Sequence, residues 1–208
     1  MENDIIAIVM AAGKGTRMKS KNSKLVQKIY GKEIVKRAVE NAEKAGVKDI
    51  VAVVGYKKEE VMKVLGDNIK YAFQDEMLGT GHAVMQAKEY LKGKKGKVLV
   101  LNGDVPLIRP ETLNKLIEKS IENKEYATLL TAIYDDPTGY GRIVRDEGGN
   151  IEGIVEEKDT TEEQKKITEI NAGIYCFDIE ALLEALEKIT PNNKQGEYYI
   201  TDVIQIMN

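Results

Sequence analysis

The block Ala11-Ala12-Gly13-Lys14-Gly15-Thr16-Arg17-Met18 follows the apolar run Ile5 to Met10. Small residues directly after a buried strand let backbone N–H groups come close to an anion. Arg17, and Lys24 further along, add full positive charges that could offset a polyphosphate. The block is not a P-loop, since no Gly-Lys-Ser/Thr completes it. It is not a dinucleotide fingerprint either, because Met18 stands at the third glycine position. Two readings stay open on spacing: a phosphate-binding loop, or a plain strand-to-helix turn with solvated cations.

Other candidates lie further on. Asp104 ends the segment Leu99-Val100-Leu101-Asn102-Gly103. A carboxylate after a buried strand suits Mg²⁺, which takes one or two carboxylates and completes its shell with phosphates and waters. It equally suits a turn ahead of Pro106. Leu78-Gly79-Thr80-Gly81-His82 precedes a helical pattern. Its glycines permit close approach of a ligand, Thr80 can cap the helix, and His82 reads as a structural residue of the first turn. Glu156 and Asn171 flank apolar strand segments. Together a carboxylate and an amide could hold sugar hydroxyls, or they could be ordinary edge-strand polarity. His82 is the only histidine and Cys176 the only cysteine, so no Cys-rich zinc site and no intramolecular disulfide can form. The serines, Ser20, Ser23 and Ser120, show no nucleophile-elbow context.

Alternating strand and helix patterns position these residues. Strands are expected at Ile5–Met10, Ile50–Val54, Ile69–Phe73 and Lys97–Leu101. Helices are expected at Glu33–Ala45, Lys58–Leu65, Thr80–Leu91 and from Pro110 to about Glu122. A run of βα units implies a largely parallel sheet with helices on both faces, and ligands bind beyond the carboxyl ends of its strands. The Gly13 loop, the Gln74 segment and Asp104 all follow strand ends and can converge on one crevice. The second half is richer in strands, near Ala127–Ile133, Arg142–Val144, Ile151–Glu156 and Gly173–Phe177. Its last helix is expected at Ile179–Ile189, and Lys158 to Lys166 as a loop or exposed helix.

The 208 residues suffice for a single domain in two halves, about 1–109 and 110–208. Lys+Arg total 31 against 34 Asp+Glu, a formal charge of -3, which weighs against a nucleic-acid binder. No apolar run is long enough to span a membrane, and Met1-Glu2-Asn3-Asp4 is not an export signal, so a cytoplasmic protein is expected.

The blocks Leu78-Gly79-Thr80-Gly81-His82-Ala83, Gly103-Asp104-Val105-Pro106-Leu107, Asp136-Pro137-Thr138-Gly139-Tyr140-Gly141-Arg142-Ile143, Glu169-Ile170-Asn171-Ala172-Gly173-Ile174 and Gln195-Gly196-Glu197-Tyr198-Tyr199-Ile200-Thr201-Asp202 carry a much sharper signal than the Gly13 loop. With them the chain resembles, from Ile5 to Met207, the pyrophosphorylase domain of the bacterial bifunctional enzymes that make UDP-N-acetylglucosamine. The resemblance implies a three-layer α/β/α, Rossmann-like nucleotidyltransferase fold with a mostly parallel mixed sheet. It implies that UTP and N-acetylglucosamine-1-phosphate yield UDP-N-acetylglucosamine and pyrophosphate with Mg²⁺. By motif, Met10, Ala11, Ala12 and Gly13 line the nucleotide site, and Gln74, with Gly79 and Thr80 beside it, reads uracil. Asn102 and Gly103 adjoin the substrates, Asp104 binds Mg²⁺, and Gly141, Glu156 and Asn171 hold the amino sugar. Arg17 and Lys24 face the phosphates as catalytic cations.

The chain departs from the family at three points. Asn102 replaces a usual Tyr, implying looser contacts near the substrates. Ser23 replaces a Pro before Lys24, implying a less rigid loop. The family's second metal ligand, an Asn, and its left-handed β-helix acetyltransferase domain have no counterpart within these 208 residues. Weak turnover, no acetyltransferase activity and a monomer are therefore expected, with a trimer where a β-helix follows. Another sugar-phosphate or alcohol-phosphate nucleotidyltransferase, or a non-catalytic nucleotide-sugar-binding protein, are the competing readings.

Overall fold

In the computed structural model, which describes residues 5–15 and 22–208, the chain starts in strand β1 (Ile5–Ala11). A small hairpin follows, β2 (Lys28–Ile29) and β3 (Lys32–Glu33), and runs straight into helix α1 (Ile34–Lys44). Then come β4 (Asp49–Val54), α2 (Lys58–Leu65), β5 (Lys70–Phe73), α3 (Thr80–Gln86), α4 (Lys88–Leu91) and β6 (Lys97–Asn102). Helix α5 (Pro110–Glu122) leads to β7 (Ala127–Ile133), β8 (Arg142–Arg145), β9 (Ile151–Val155) and β10 (Glu169–Asp178). Helices α6 (Ile179–Leu186) and α7 (Asp202–Met207) close the chain.

Eight strands form one mixed sheet in the order β5-β4-β1-β6-β10-β8-β9, with β7 also paired to β10. β5, β4, β1 and β6 are parallel, as the βα repeats dictate. β10 enters antiparallel to β6 and joins the second half to the first. The chain winds outward from β1 through β4 to β5, then returns so that β6 sits on β1's other side. That reversal is the switch point at which open α/β sheets leave a crevice. It falls where Met10 of β1 lies beside Asn102 of β6.

Strand alternation sends successive side chains to opposite faces and so builds two cores. On one face Ala7, Val9, Leu99 and Leu101 pack against Ala38 and Ala42 of α1 and Leu113 and Ile117 of α5. On the other, Ile6, Ile8, Val98, Val100 and Phe177 meet Val84 and Leu91 of α3 and α4 and Leu182 and Val203 of α6 and α7. Helices on both faces make the three layers expected of the repeats. No helix among the described residues is long and apolar enough to cross a membrane.

Some expected elements differ. The helix expected over Thr80–Leu91 divides at Ala87, where the ladder tightens and Ala87 N–H donates to Val84 O at 3.0 Å. The last long helix stops at Leu186, and two short 3₁₀ turns, Glu157–Asp159 and Gln164–Lys166, take up most of the polar run. β10 begins at Glu169, four residues before the expected strand. Its register with β7 shifts between Asn171 and Tyr175.

Candidate functional site

The carboxyl ends of β1 and β6 open into a cleft of about 310 Å³, within the range of small-ligand sites. Met10, Ala12, Gly13, Lys14, Lys24, Gln74, Gly79, Thr80, Asn102 and Asp104 all line it. The crevice expected from three separate strand ends is therefore one space. A Cβ placed on Gly13 would meet nothing within 4 Å, so this backbone faces open cleft that an incoming group can use. Ala11 does not line it. By strand alternation its side chain turns to the opposite face, packing in a cluster with Leu25 and Val35. Gly103 lies just behind the wall, its N–H donating to Met10 O at 2.9 Å. Arg17 lies outside the described residues.

The charged end of the cleft is the pair Lys24 Nζ–Asp104 Oδ2, 2.5 Å apart. Lys24 starts a 3₁₀ turn, Lys24–Val26, capped by the Ser23 hydroxyl, which accepts from Leu25 N at 3.3 Å. Ser23 N–H donates to Glu60 Oε2 at 2.9 Å, a bond that proline could not make. The turn expected to be loose without its proline is instead pinned by two hydrogen bonds on a buried serine. Gly15, at φ +61, completes the arrangement: a Cβ there would sit 2.6 Å from Lys24 Cδ, so glycine lets the lysine stem cross the loop. Two groups expected to serve phosphate and metal thus neutralise each other across the cleft floor.

The opposite wall carries amides. Gln74 is buried, and its Nε2 donates to Gly79 O at 3.0 Å. Gly79 has φ +111, and a Cβ on it would collide with Tyr198 O at 2.4 Å, so only glycine fits. Thr80 does not cap its own helix. Gly79 occupies the N-cap position, and the Thr80 hydroxyl accepts from Ile200 N at 3.0 Å, tying the loop to the C-terminal segment.

Gly141, Glu156 and Asn171 form a second cluster beside the cleft. A Cβ on Gly141 would lie 3.5 Å from both Asn171 Cβ and Glu156 Oε1. Asn171 donates to the Tyr175 hydroxyl at 2.6 Å, and its Oδ1 accepts from Gly173 N at 3.0 Å. Glu156 Oε1 accepts from the Thr201 hydroxyl at 3.1 Å. Burial raises the Glu156 carboxyl above its ordinary range, opposed by the Thr201 bond and reinforced by Asp202, Asp159 and Glu197. Asn102 Nδ2 reaches Gly173 O at 3.4 Å and links this cluster to the cleft. A carboxylate, an amide and a glycine without a side chain can accept and donate to vicinal hydroxyls.

Comparison with known proteins decides the class. The nucleotidyl transferase family model matches residues 6–208. This chain belongs to that family. The nucleotidyl transferase is 53% identical over 204 residues to the bifunctional protein GlmU of Caldanaerobacter subterraneus subsp. tengcongensis. It is 51% identical over 201 residues to that of Geobacillus sp.. These alignments cover 98% and 97% of this chain but 44% of each relative, so the chain spans less than half of their length. Two solved structures share its fold at 22% identity. A Bacillus anthracis protein described as a glucose-1-phosphate thymidylyltransferase has TM-score 0.79 over 96% of this chain and 80% of its own. A UDP-glucose pyrophosphorylase complexed with UDP-glucose has 0.76 over 97% and 85%.

The nucleotidyl transferase also places in or beside the cleft residues that sequence reasoning did not assign. Lys14, Met77 and Glu197 line it, and Thr201 and Tyr175 orient the second cluster. Lys14 stands inside the Gly13 block and Glu197 inside the Gly196-Glu197-Tyr198 block, so the signal was present. Met77 carries none, since its place depends on how the loop after β5 folds back.

Proposed function

We propose that this chain transfers a uridylyl group from UTP to N-acetylglucosamine-1-phosphate, giving UDP-N-acetylglucosamine and pyrophosphate. The observation that carries the reading is the single cleft at the β1/β6 switch point. It joins a side-chain-free loop at Gly13, a Lys24–Asp104 charge pair and the Gln74–Gly79 amides, with the Gly141–Glu156–Asn171 cluster next to it. About half of the residues are shared with bifunctional GlmU proteins across nearly the whole chain, which supports the choice of substrates.

A phosphate oxygen of the sugar phosphate attacks the α-phosphorus of UTP, and the bond to the β-phosphate bridging oxygen breaks in line. The nucleophile is already an anion, so no general base is needed, which suits a cleft with no histidine or cysteine on its wall among the described residues. The chain has to bind, align and neutralise. Lys24 leaves Asp104 for the phosphates as they arrive, and Arg17, in the same sequence block as Gly13, is the second cation of the proposal. Gln74 and the Gly79 backbone hold the base, while Glu156, Asn171 and the Gly141 backbone hold the sugar.

Asp104 fits Mg²⁺. Its carboxylate is a hard oxygen donor facing the cleft, and the described residues hold no group of three or more acidic, His or Cys ligands. One carboxylate completed by phosphates and water is the ordinary magnesium arrangement. When bound, the ion would neutralise charge on the reacting phosphates.

The test is pyrophosphate release with UTP, CTP, TTP and a panel of sugar-1-phosphates, with and without Mg²⁺. The expected result is turnover confined to UTP and N-acetylglucosamine-1-phosphate and dependent on Mg²⁺. Preference for another pair, or binding of UDP-N-acetylglucosamine with no pyrophosphate from any pair, would overturn it.

A further inference from the structure

Gly141 and Glu156 lie just past the end of the ladder that brings their strands together. The last rung between β8 and β9 on that side is Arg142–Val155. Gly141 O accepts from Asn171 N at 2.9 Å, which fixes the Gly141–Asn171 side of the second cluster, but the pairing of the sheet stops short of Glu156. One residue further along each segment stand Arg142 and Glu157, and their side chains meet: Arg142 Nη1 lies 2.7 Å from Glu157 Oε2. The same nitrogen donates back to Tyr140 O, so the guanidinium folds over the turn that carries Gly141. Bonding to Arg142 holds the Glu157 carboxyl below its ordinary range against the cost of burial, and the Gly139 N–H adds to the lowering. Gly139 and Arg142, on either side of residues 140–141, thus both reach one carboxylate, and it belongs to the residue after Glu156.

We infer that Arg142 and Glu157 are positioning residues for the sugar phosphate: as a clamp behind the second cluster they hold the turn 139–141 against Glu156, so that the Gly141 backbone and the Glu156 carboxylate meet the sugar at one fixed spacing. The inference rests on the proposed sugar role of that cluster and extends it to two residues that do not line the cleft. Stability alone does not call for the pair. The Arg142 side chain is 2% exposed, and its Nε has no hydrogen-bond partner among the described residues. A buried charge with an orphan donor is often matched or bettered by apolar side chains of similar volume. What apolar side chains cannot do is hold the Tyr140 carbonyl and the Gly139 N–H together, and with them the narrow gap in which a Gly141 Cβ would come 3.5 Å from Glu156 Oε1.

Three variants separate this role from a purely structural one. Glu157→Ala removes the clamp at its part-exposed end, where water can reach the freed guanidinium. Arg142→Met combined with Glu157→Leu replaces the pair by apolar side chains and keeps the test open where Glu157→Ala fails to fold. Glu157→Gln keeps an oxygen that can accept from both Gly139 and Arg142. KM for UTP and for N-acetylglucosamine-1-phosphate, with kcat, are read from pyrophosphate release, alongside denaturant midpoints and a Glu156→Ala control. Glu157→Ala and the double variant should each raise KM for the sugar phosphate about tenfold, the worth of one hydrogen bond to the ligand, and leave KM for UTP nearly unchanged. The double variant should do so with its denaturation midpoint held, and Glu157→Gln should recover most of the affinity. An unchanged sugar-phosphate KM in the double variant, or equal rises for both substrates, would overturn the clamp while a raised sugar-phosphate KM in Glu156→Ala leaves the cluster's assignment standing. An unchanged sugar-phosphate KM in Glu156→Ala would overturn both.

Discussion

Replacing Lys24 by alanine removes one end of the 2.5 Å pair with Asp104 and one cation from the cleft. The two consequences differ in size. The side chains of Lys24 and Asp104 remain 28% and 38% exposed, so water and salt screen the pair. Exposed pairs of this kind contribute about 0–1 kcal/mol to stability. For a domain of this length that is a fall of no more than about 4 °C in Tm. A charge aimed at the transferring phosphoryl group is worth far more, because the cleft is arranged before the reaction begins. Loss of one such contact costs roughly 10²-fold or more in kcat/KM, about 2.7 kcal/mol. Lys24→Ala should therefore lose at least roughly a hundredfold in pyrophosphate release while its denaturation midpoint barely moves. Lys24→Arg should not rescue it, since a planar guanidinium fork cannot imitate a compact ammonium there. Near wild-type rates in Lys24→Ala, at both limiting and saturating substrate, would refute the phosphate role. A loss of activity matched by a comparable loss of folding free energy would show that the pair is structural.

Asp104→Asn should weaken the Mg²⁺ dependence of turnover more than the binding of metal-free UDP-sugar, because the amide oxygen lacks the carboxylate's charge; an unchanged Mg²⁺ titration refutes the metal role. Glu156→Ala and Asn171→Ala should raise KM for the sugar phosphate several-fold and leave that for UTP nearly unchanged; equal effects on both would make the cluster structural. Burial and then Asp159 push the Asp202 carboxyl up to about 6 from 3.8. Its favourable contribution is complete below pH about 4 and is lost as pH rises through about 6. Asp202→Asn should then stabilise the protein at pH 7 by about 1 kcal/mol, allowing for the group's partial exposure, and give no gain at pH 4. A gain of equal size at both values in denaturant melts would disprove the assignment.

The cleft was legible because it rests on backbone facts. A continuous apolar run means a buried parallel strand, and parallel strands deliver the residues after them to one edge of the sheet. Gly13, Gln74 and Asp104 could be brought together on that ground alone, and the bounds of α2 and α5 followed from Gly66 and Pro110. What failed depended on contacts between distant segments. Ala11 shares its motif with Met10 and Ala12, but the strand persists one residue longer than expected and turns it away. Thr80 has the right type for a cap, yet Ile200, 120 residues later, takes its hydroxyl. Helix α7 is shorter than two turns, with only Val203 and Ile204 buried, too little periodicity to read. The early start of β10 rests on pairing with β7, which no local pattern announces.

The segment 197–201 ties the cleft to the second cluster. Tyr198 N donates to Leu78 O at 2.8 Å, and Gly81 N returns a bond to Tyr198 O at 2.7 Å. Two residues on, Ile200 N holds the Thr80 hydroxyl, and the next residue, Thr201, holds Glu156. Five consecutive residues thus run from the Gln74–Gly79 wall of the cleft to the carboxylate of the second cluster, their backbone paired to the 78–81 loop at three points. An in-line transfer needs its two substrates placed to within fractions of an ångström of a shared axis. Under the proposed uridylyl transfer, fixing the Gln74 wall and the second cluster to one short, hydrogen-bonded stretch would serve that need without relying on the packing of two independent halves. Asn102, reaching Gly173 from the opposite side of the cleft, makes the second tie. The sheet supplies the floor of the cleft, and these two ties set the distance between the Gln74–Gly79 wall and the Gly141–Glu156–Asn171 cluster.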